Sequence, residues 1–428
     1  MIHSLRNVQT HLLRLIVFLV PTQLAIHFWP SWALMFGIRV DYLSPTIYLT
    51  DILIIFLLCI FVFTSWKTLV VDAANKIKDN NKIVLITLII LVFIFMNIVF
   101  AGNWTIALFK WMKILLFILF SLYIVKRKNL SMKKDIVIPL SFSIILFGVI
   151  AIVQYFMQRS IGGIFFLLGE RTFSTTTSGI ALVSIMGIEK LRAYSTFPHP
   201  NALAGYFLVT LLIVIFNKSG LNKLCLGVFM LISLLGIVLS FSKTVYAAAI
   251  LIGILYLILV KSKRWFKRVV FIIFMGGIII SVLFPYYSRK AMLSERQIPE
   301  NIYQRLSLSD VGGKLISDSA ISGVGFNNFI LYIPDKTEDA RLSWWLQPVH
   351  NIYLLVASEV GLVGLVALFI ILYKALYTSF IYKRYWLVLA LIAIVITGLA
   401  DHYWLTLQQN LLLLSIVLAL SFKKKLIA

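Results

Sequence analysis

The chain has 428 residues, 61% of them hydrophobic, and a mean hydropathy of +0.99. No packed core hides that much apolar surface in a soluble globular protein, so composition alone makes this an integral membrane protein. The formal charge of +23 does not call for a nucleic-acid partner, because the basic residues fall in short runs between apolar segments, as membrane orientation requires.

The apolar segments are of helix length and lack strict alternation, which favours an all-α polytopic bundle over a β-barrel. Taken in order they predict about twelve spans, at roughly 11–29, 47–66, 82–100, 104–125, 136–157, 200–216, 223–240, 242–260, 268–284, 349–373, 385–400 and 403–421. The first has basic Arg6 and Arg14 before it but no small-residue cleavage site, so a retained helix is expected. The clusters Lys126/Arg127/Lys128/Lys133/Lys134, Lys261/Lys263/Arg264/Lys267/Arg268 and Lys423/Lys424/Lys425 then share one side, which places both termini in the cytoplasm. Cys59 and Cys225 lie in or beside apolar segments and form no disulfide framework.

The chain reads as a single membrane domain over 1–428, with two outer segments, about 158–199 and 285–349, too long to be simple turns. Their apolar and aromatic content argues against disorder, and the mixed pattern of 301–321 predicts short amphipathic helices at the interface.

Several residues at outer helix ends carry chemistry. His350 stands where the polar approach Trp344-Trp-Leu-Gln-Pro-Val349 meets a long apolar helix. Its imidazole titrates near neutrality, so it is either an interfacial histidine or a general base. Glu359 lies nine residues further on, about 13 Å deeper and turned by roughly 180° on a regular helix, so it reads as a buried acid facing the bundle. Pro198 and Pro200 flank His199 and fix the start of the sixth helix. With Arg192 upstream, that helix start offers a place for a phosphate-bearing group, whether substrate or lipid headgroup. Lys243 follows the tight turn Ser240-Phe-Ser242 and is either a snorkelling anchor or a phosphate partner. Arg305 sits in an apolar–polar pattern that aims it at the bundle. Asp401-His402 brings an acid and an imidazole to the last turn, where an aromatic-anchored interfacial turn is the alternative. The histidine spacing matches no zinc motif, and neither metal nor other cofactor is expected.

Taken together, Arg192 with Thr196-Phe-Pro-His-Pro-Asn201, Arg305, Gly323-Val-Gly325, His350-Asn351 with Glu359-Val-Gly361, and Asp401 with Gln408-Gln409 resemble the O-antigen ligase and polymerase superfamily of bacterial envelope glycosyltransferases. The resemblance implies a metal-independent transferase in the bacterial cytoplasmic membrane, with its active site on the outer side. Its partners would be a lipid-linked oligosaccharide donor of the undecaprenyl-diphosphate type, a glycan or lipid acceptor, and membrane lipids. By the same resemblance His350 would be the base, Arg192 and Arg305 would hold the diphosphate, and His199, Asn201, Lys243, Asn351 and Asp401 would line the substrate site. Members often carry arginine where this chain has Lys243; lysine keeps the charge and loses the two-pronged fit to phosphate. The rival readings are a flippase or exporter of lipid-linked glycans and a non-catalytic polysaccharide-assembly protein. A transporter should show repeats and polar residues near the midplane, whereas here the polar candidates gather at one side.

Overall fold

The structure, a computed structural model, describes residues 2–79, 81–217, 221–294, 300–337 and 342–426. It is an all-α bundle with three two-stranded antiparallel sheets in its connecting segments. Among the described residues five helices are long and apolar enough to cross a membrane, and five more apolar helices span 10–17 residues. At 1.5 Å per residue the shorter ones reach about 15–25 Å; together these helices fit a polytopic bundle, and the full count of about twelve spans is not confirmed among the described residues.

The first expected span is corrected outright. Helix α1 covers Ile2–Phe18, not 11–29. Pro21 follows it, and the chain then forms strands β1 (Ala25–His27), β2 (Leu34–Met35), β3 (Ile38–Arg39) and β4 (Thr46–Tyr48), with β1 paired to β4 and β2 to β3. Proline cannot continue a helix, and Thr22 instead turns its hydroxyl to the carbonyl of Leu168 at 2.7 Å. The next spans fall close to expectation: α2 (Leu49–Asp79), α3 (Asn81–Val99), α4 (Trp104–Lys126) and α5 (Ile138–Met157, entered through a π turn at Met132–Val137). Asn103 caps α4 by accepting from the N–H groups of Thr105 and Ile106, which explains the sharp start there.

The segment 158–199 holds no amphipathic α-helix. It contains a 3-10 turn at Gly163–Leu168 and the hairpin β5 (Leu182–Ile185) and β6 (Ile188–Leu191). Buried Glu170 organises it: the carboxylate accepts from the N–H groups of Ile161 and Gly162 and from Gln154 Nε2, each at 2.7 Å. Gln154 in turn accepts from the N–H of Ser195 at 2.6 Å. This polar knot fastens the segment to α5 and delivers the chain to α6 (Pro200–Phe216) in a fixed pose.

Helices α7 (Lys223–Leu239), α8 (Lys243–Lys261) and α9 (Lys263–Ser294) follow. The segment from 285 carries the end of α9, then α10 (Glu300–Asp318) and the single turn α11 (Ile333–Lys336); residues 295–299 and 338–341 lie outside the described residues. Helix α12 (Ile352–Ile381) is broken at Gly361, whose φ of 76° is left-handed. The end of the chain forms α13 (Tyr385–Gly398), α14 (Tyr403–Thr406) and α15 (Gln408–Phe422), so the last expected span, 403–421, is two helices parted at Leu407.

The break in α12 is filled by the loop 320–325. The N–H groups of Val324 and Gly325 donate to the carbonyls of Ser358 (2.9 Å) and Glu359 (3.0 Å), while Leu362 N–H donates to Ala320 O at 2.7 Å. The loop thus satisfies backbone groups that the break frees. Gly323, also left-handed at φ 67°, packs where a Cβ would collide with the backbone of Glu359. Buried Asn97 locks the junction: Nδ2 donates to Ser322 O (2.7 Å) and Glu359 O (3.0 Å), and Oδ1 accepts from Trp111 Nε1 and Phe326 N–H.

Candidate active site

Four helix ends meet at one end of the bundle. His199 and Asn201 begin α6, His350 and Asn351 begin α12, and Asp401 and His402 lie between α13 and α14. The rings of His350 and His402 meet edge to face with centroids 5.1 Å apart. Ring nitrogens of both and a carboxylate oxygen of Asp401 lie within 4.8 Å of one another.

Asp401 is the hub, buried, with a hydrogen bond to each carboxylate oxygen. Oδ2 accepts from Asn201 Nδ2 at 2.8 Å and Oδ1 from the N–H of His402 at 2.9 Å. Asn201 Oδ1 accepts from Arg192 Nη2 at 2.7 Å, and Arg192 Nε donates to Ser240 O at 2.6 Å. Arg305, on α10, donates from Nη1 to Ala400 O at 3.0 Å. Burial, and to a smaller extent the charge of Arg305, disfavours the charge of Arg192, an arrangement that a bound polyanion would relieve.

Burial pushes the imidazoles down: His350 to about 3, against the attraction of Asp401 and with the charge of Arg305 among the causes; His402 to about 4 and His199 to about 4, again against Asp401. For Asp401 burial works against ionisation, but the surrounding imidazoles and the Asn201 hydrogen bond outweigh it and hold the carboxyl down at about 2. Near neutrality the cluster is therefore a carboxylate among neutral imidazoles. His350 Nδ1 is buried with no hydrogen-bond partner among the described residues, so one ring nitrogen of a neutral imidazole is uncommitted.

The other candidates divide. His199 Nδ1 accepts from the N–H of Asn201 at 3.1 Å and caps α6, which puts the proton of the neutral ring on Nε2. Asn351 caps α12, with Oδ1 accepting from Tyr353 and Leu354 N–H, while its buried Nδ2 is unpartnered. Lys243 stands exposed at the first residue of α8, just beyond the Ser240 carbonyl that Arg192 holds. Glu359 is apart from the histidines: its carboxylate accepts from the N–H of Phe329 at 3.2 Å. The sequence places His402 with Asp401 as an imidazole beside an acid in the last turn, or as part of an interfacial turn, and gives it no role of its own. Its adjacency to Asp401 was the available signal, and its approach to His350 is a tertiary fact.

The trio has donors that a divalent cation takes. Much of that capacity is already engaged, since both Asp401 oxygens accept hydrogen bonds and His402 Nδ1 lies 2.6 Å from Thr406 Oγ1.

Residues 228–369 match the O-antigen ligase family model. The match runs from α7 to beyond the break in α12 and takes in Lys243, Arg305, Gly323, His350 and Glu359; it supports placement in the O-antigen ligase and polymerase superfamily, and with it an activity of the membrane glycosyltransferase type. No curated protein matches the chain. Arg192, Asn201, Asp401 and His402 lie outside the matched stretch and join it only through the folded geometry.

Proposed function

We propose that the protein moves a glycan from an undecaprenyl-diphosphate-type carrier to an acceptor hydroxyl on the outer face of the bacterial cytoplasmic membrane, without a metal ion. The observation that carries this is the convergence of His350, with its uncommitted Nδ1, and Asp401 with two arginines, Arg192 joined to Asp401 through Asn201 and Arg305 bound to the carbonyl of Ala400 next to it. In the reaction the acceptor oxygen bonds to the anomeric carbon as the bond to the diphosphate oxygen breaks. The diphosphate leaves with the electron pair, and His350 takes the acceptor's proton. Arg192 and Arg305 offset the charge growing on the leaving group.

An imidazole depressed to about 3 is correctly deprotonated yet weakly basic. A bound diphosphate answers this, because it offsets the charge of Arg305, one of the groups that hold His350 down, and so raises the imidazole's basicity when donor is present. Asp401 stabilises the imidazolium that forms. Because the Asp401 oxygens and His402 Nδ1 are engaged within the protein, the trio serves proton transfer and not metal binding in this reading.

The test is to incubate the purified protein in proteoliposomes with undecaprenyl-diphosphate glycan and candidate acceptors. Carrier release coupled to a new glycosidic linkage, unchanged by chelator, is expected. Carrier translocation without a new linkage would establish the flippase reading instead, and dependence on added divalent cation would return the trio to metal chemistry. The membrane side is checked with tags: Asn129 and Ser262 should report cytoplasm, Arg171 and Thr337 the opposite side.

A further inference from the structure

Beside the histidine cluster lies a cavity of about 200 Å³, whose walls include Gln23, Asp41, Tyr42, Lys110, Arg171 and Thr406. It adjoins the cluster through two side chains. Tyr42 meets the His402 ring edge to face at 5.6 Å, and Thr406 Oγ1 lies 2.6 Å from His402 Nδ1. Arg192, by contrast, reaches the cluster through Asn201 and Asp401. The cavity and the diphosphate-binding arginines thus contact the cluster through different members.

We propose that this cavity is a subsite for a single sugar residue, the one bearing the acceptor hydroxyl. Its chemistry is mixed, with the cations Lys110 and Arg171 beside the carboxylate of Asp41 and neutral acceptors and donors. Lys113, which also lines it, is ion-paired with Asp51, and the carboxylate of Asp41 has no ion-pair or hydrogen-bond partner among the described residues. Gln23 Oε1 is a buried acceptor without a donor. Arg171 spends Nη2 on the carbonyl of Pro198 at 2.8 Å and keeps further N–H groups. Unspent acceptors beside unspent donors suit hydroxyls, which donate and accept at once, and the carboxylate of Asp41 offsets part of the charge that Lys110 and Arg171 bring to the same wall. The volume is below the roughly 300–1,000 Å³ of sites for drug-sized ligands, which fits one sugar ring and leaves an extended glycan outside. Much of the wall comes from residues 23–48, a stretch that forms four short strands and whose first part, up to residue 29, was expected to be helix.

The role as acceptor site rests on the transferase reading; the binding of sugar does not. The full-length protein in nanodiscs is examined by saturation-transfer NMR with methyl glycosides of glucose, galactose, N-acetylglucosamine and glucuronic acid. At least one should give signal with wild type that falls about tenfold or more in Asp41→Asn and in Arg171→Gln, with thermal midpoints unchanged, since Asp41 and Arg171 are exposed residues. Inorganic phosphate should not displace it. No glycoside signal from wild type, undiminished signal in both variants, or displacement by equimolar phosphate would each overturn the subsite. In the transfer assay Asp41→Asn should raise acceptor KM with donor KM unchanged. Sugar binding without any transfer by wild type would sink the transferase reading alone, and transfer with unaltered acceptor KM in Asp41→Asn would sink the subsite alone.

Discussion

Helices α3 and α15 are both apolar and similar in length, yet they lie in opposite surroundings. Along α3, Leu85, Ile86, Leu88, Ile89, Ile90, Leu91, Val92 and Phe95 are all more than half exposed, an apolar surface suited to lipid. Along α15 nearly every residue from Gln408 to Ser421 is buried. Hydrophobicity does not separate them, because lipid tails are as apolar as leucine and give apolar side chains no preference for the bundle. Polar side chains do: α15 buries Gln408, Gln409, Asn410, Ser415 and Ser421, whereas the buried polar residue of α3 is Asn97, at the end next to the broken α12. In this molecule the polar residue within an apolar helix marks the protein interior, and the candidate site lies where such residues gather.

The contrast breaks first at His350. His350→Ala should lower glycan transfer by about 10² to 10⁴, the usual contribution of a positioned general base, while donor binding, measured separately, persists. Transfer within a few-fold of wild type would leave His350 an interfacial residue. Because burial lowers its pKa to about 3, the unprotonated base persists well below neutrality. With donor limiting, so that the donor-free enzyme is what titrates, kcat/KM for the donor should therefore stay flat from about pH 8 to about pH 5 and fall only below that. A decline centred near the ordinary imidazole value would mean a solvated ring and contradict the packing seen here.

Arg192→Ala and Arg305→Ala come next, each weakening use of the diphosphate-linked donor by roughly tenfold to a hundredfold, the effect of losing about 1.5–3 kcal/mol of charge-assisted hydrogen bonding. Unchanged donor KM in both, with normal protein levels, removes them from the donor site. Glycines sharpen the comparison without chemistry. Gly361→Ala places a Cβ against the carbonyl of Ile321 in a left-handed position and should destabilise by more than about 1 kcal/mol, whereas Gly253→Ala on α8 meets nothing within 4 Å and should stabilise by roughly 0.5–1 kcal/mol. Thermal unfolding in one detergent compares the pair. The smallest effect belongs to α3: Ile89→Leu should change stability by no more than about 0.5 kcal/mol, and a larger loss would reveal a partner on that face.

Much of the helical scaffold was legible because hydropathy and caps are local. Pro200 marks a helix start that the structure keeps. The first helix was misjudged because the apolar run continues past Pro21 although the helix does not. At the site, Arg192, Asn201, Arg305, His350 and Asp401 were visible as residues with a resemblance behind them, and the structure brings them together. His402 was not given a role because its partners lie in α12 and in the turn that holds Tyr42, contacts that no local pattern encodes. The matching of Gly323 to Gly361 was hidden for the same reason. Each reads alone as a breaker, and only their contact makes them one device.

That device imposes an order on biogenesis. The loop 320–325 is synthesised before α12, yet its N–H groups at Val324 and Gly325 find their acceptors on Ser358 and Glu359. Until α12 has entered the bilayer the loop lacks these partners, and an α12 inserted without the loop carries an open backbone at Gly361 that hydrocarbon penalises. Closure is therefore a late event in which an earlier-made segment packs back to complete a helix inserted after it, so the helix that follows His350 is finished only when the segment bearing Arg305 has docked.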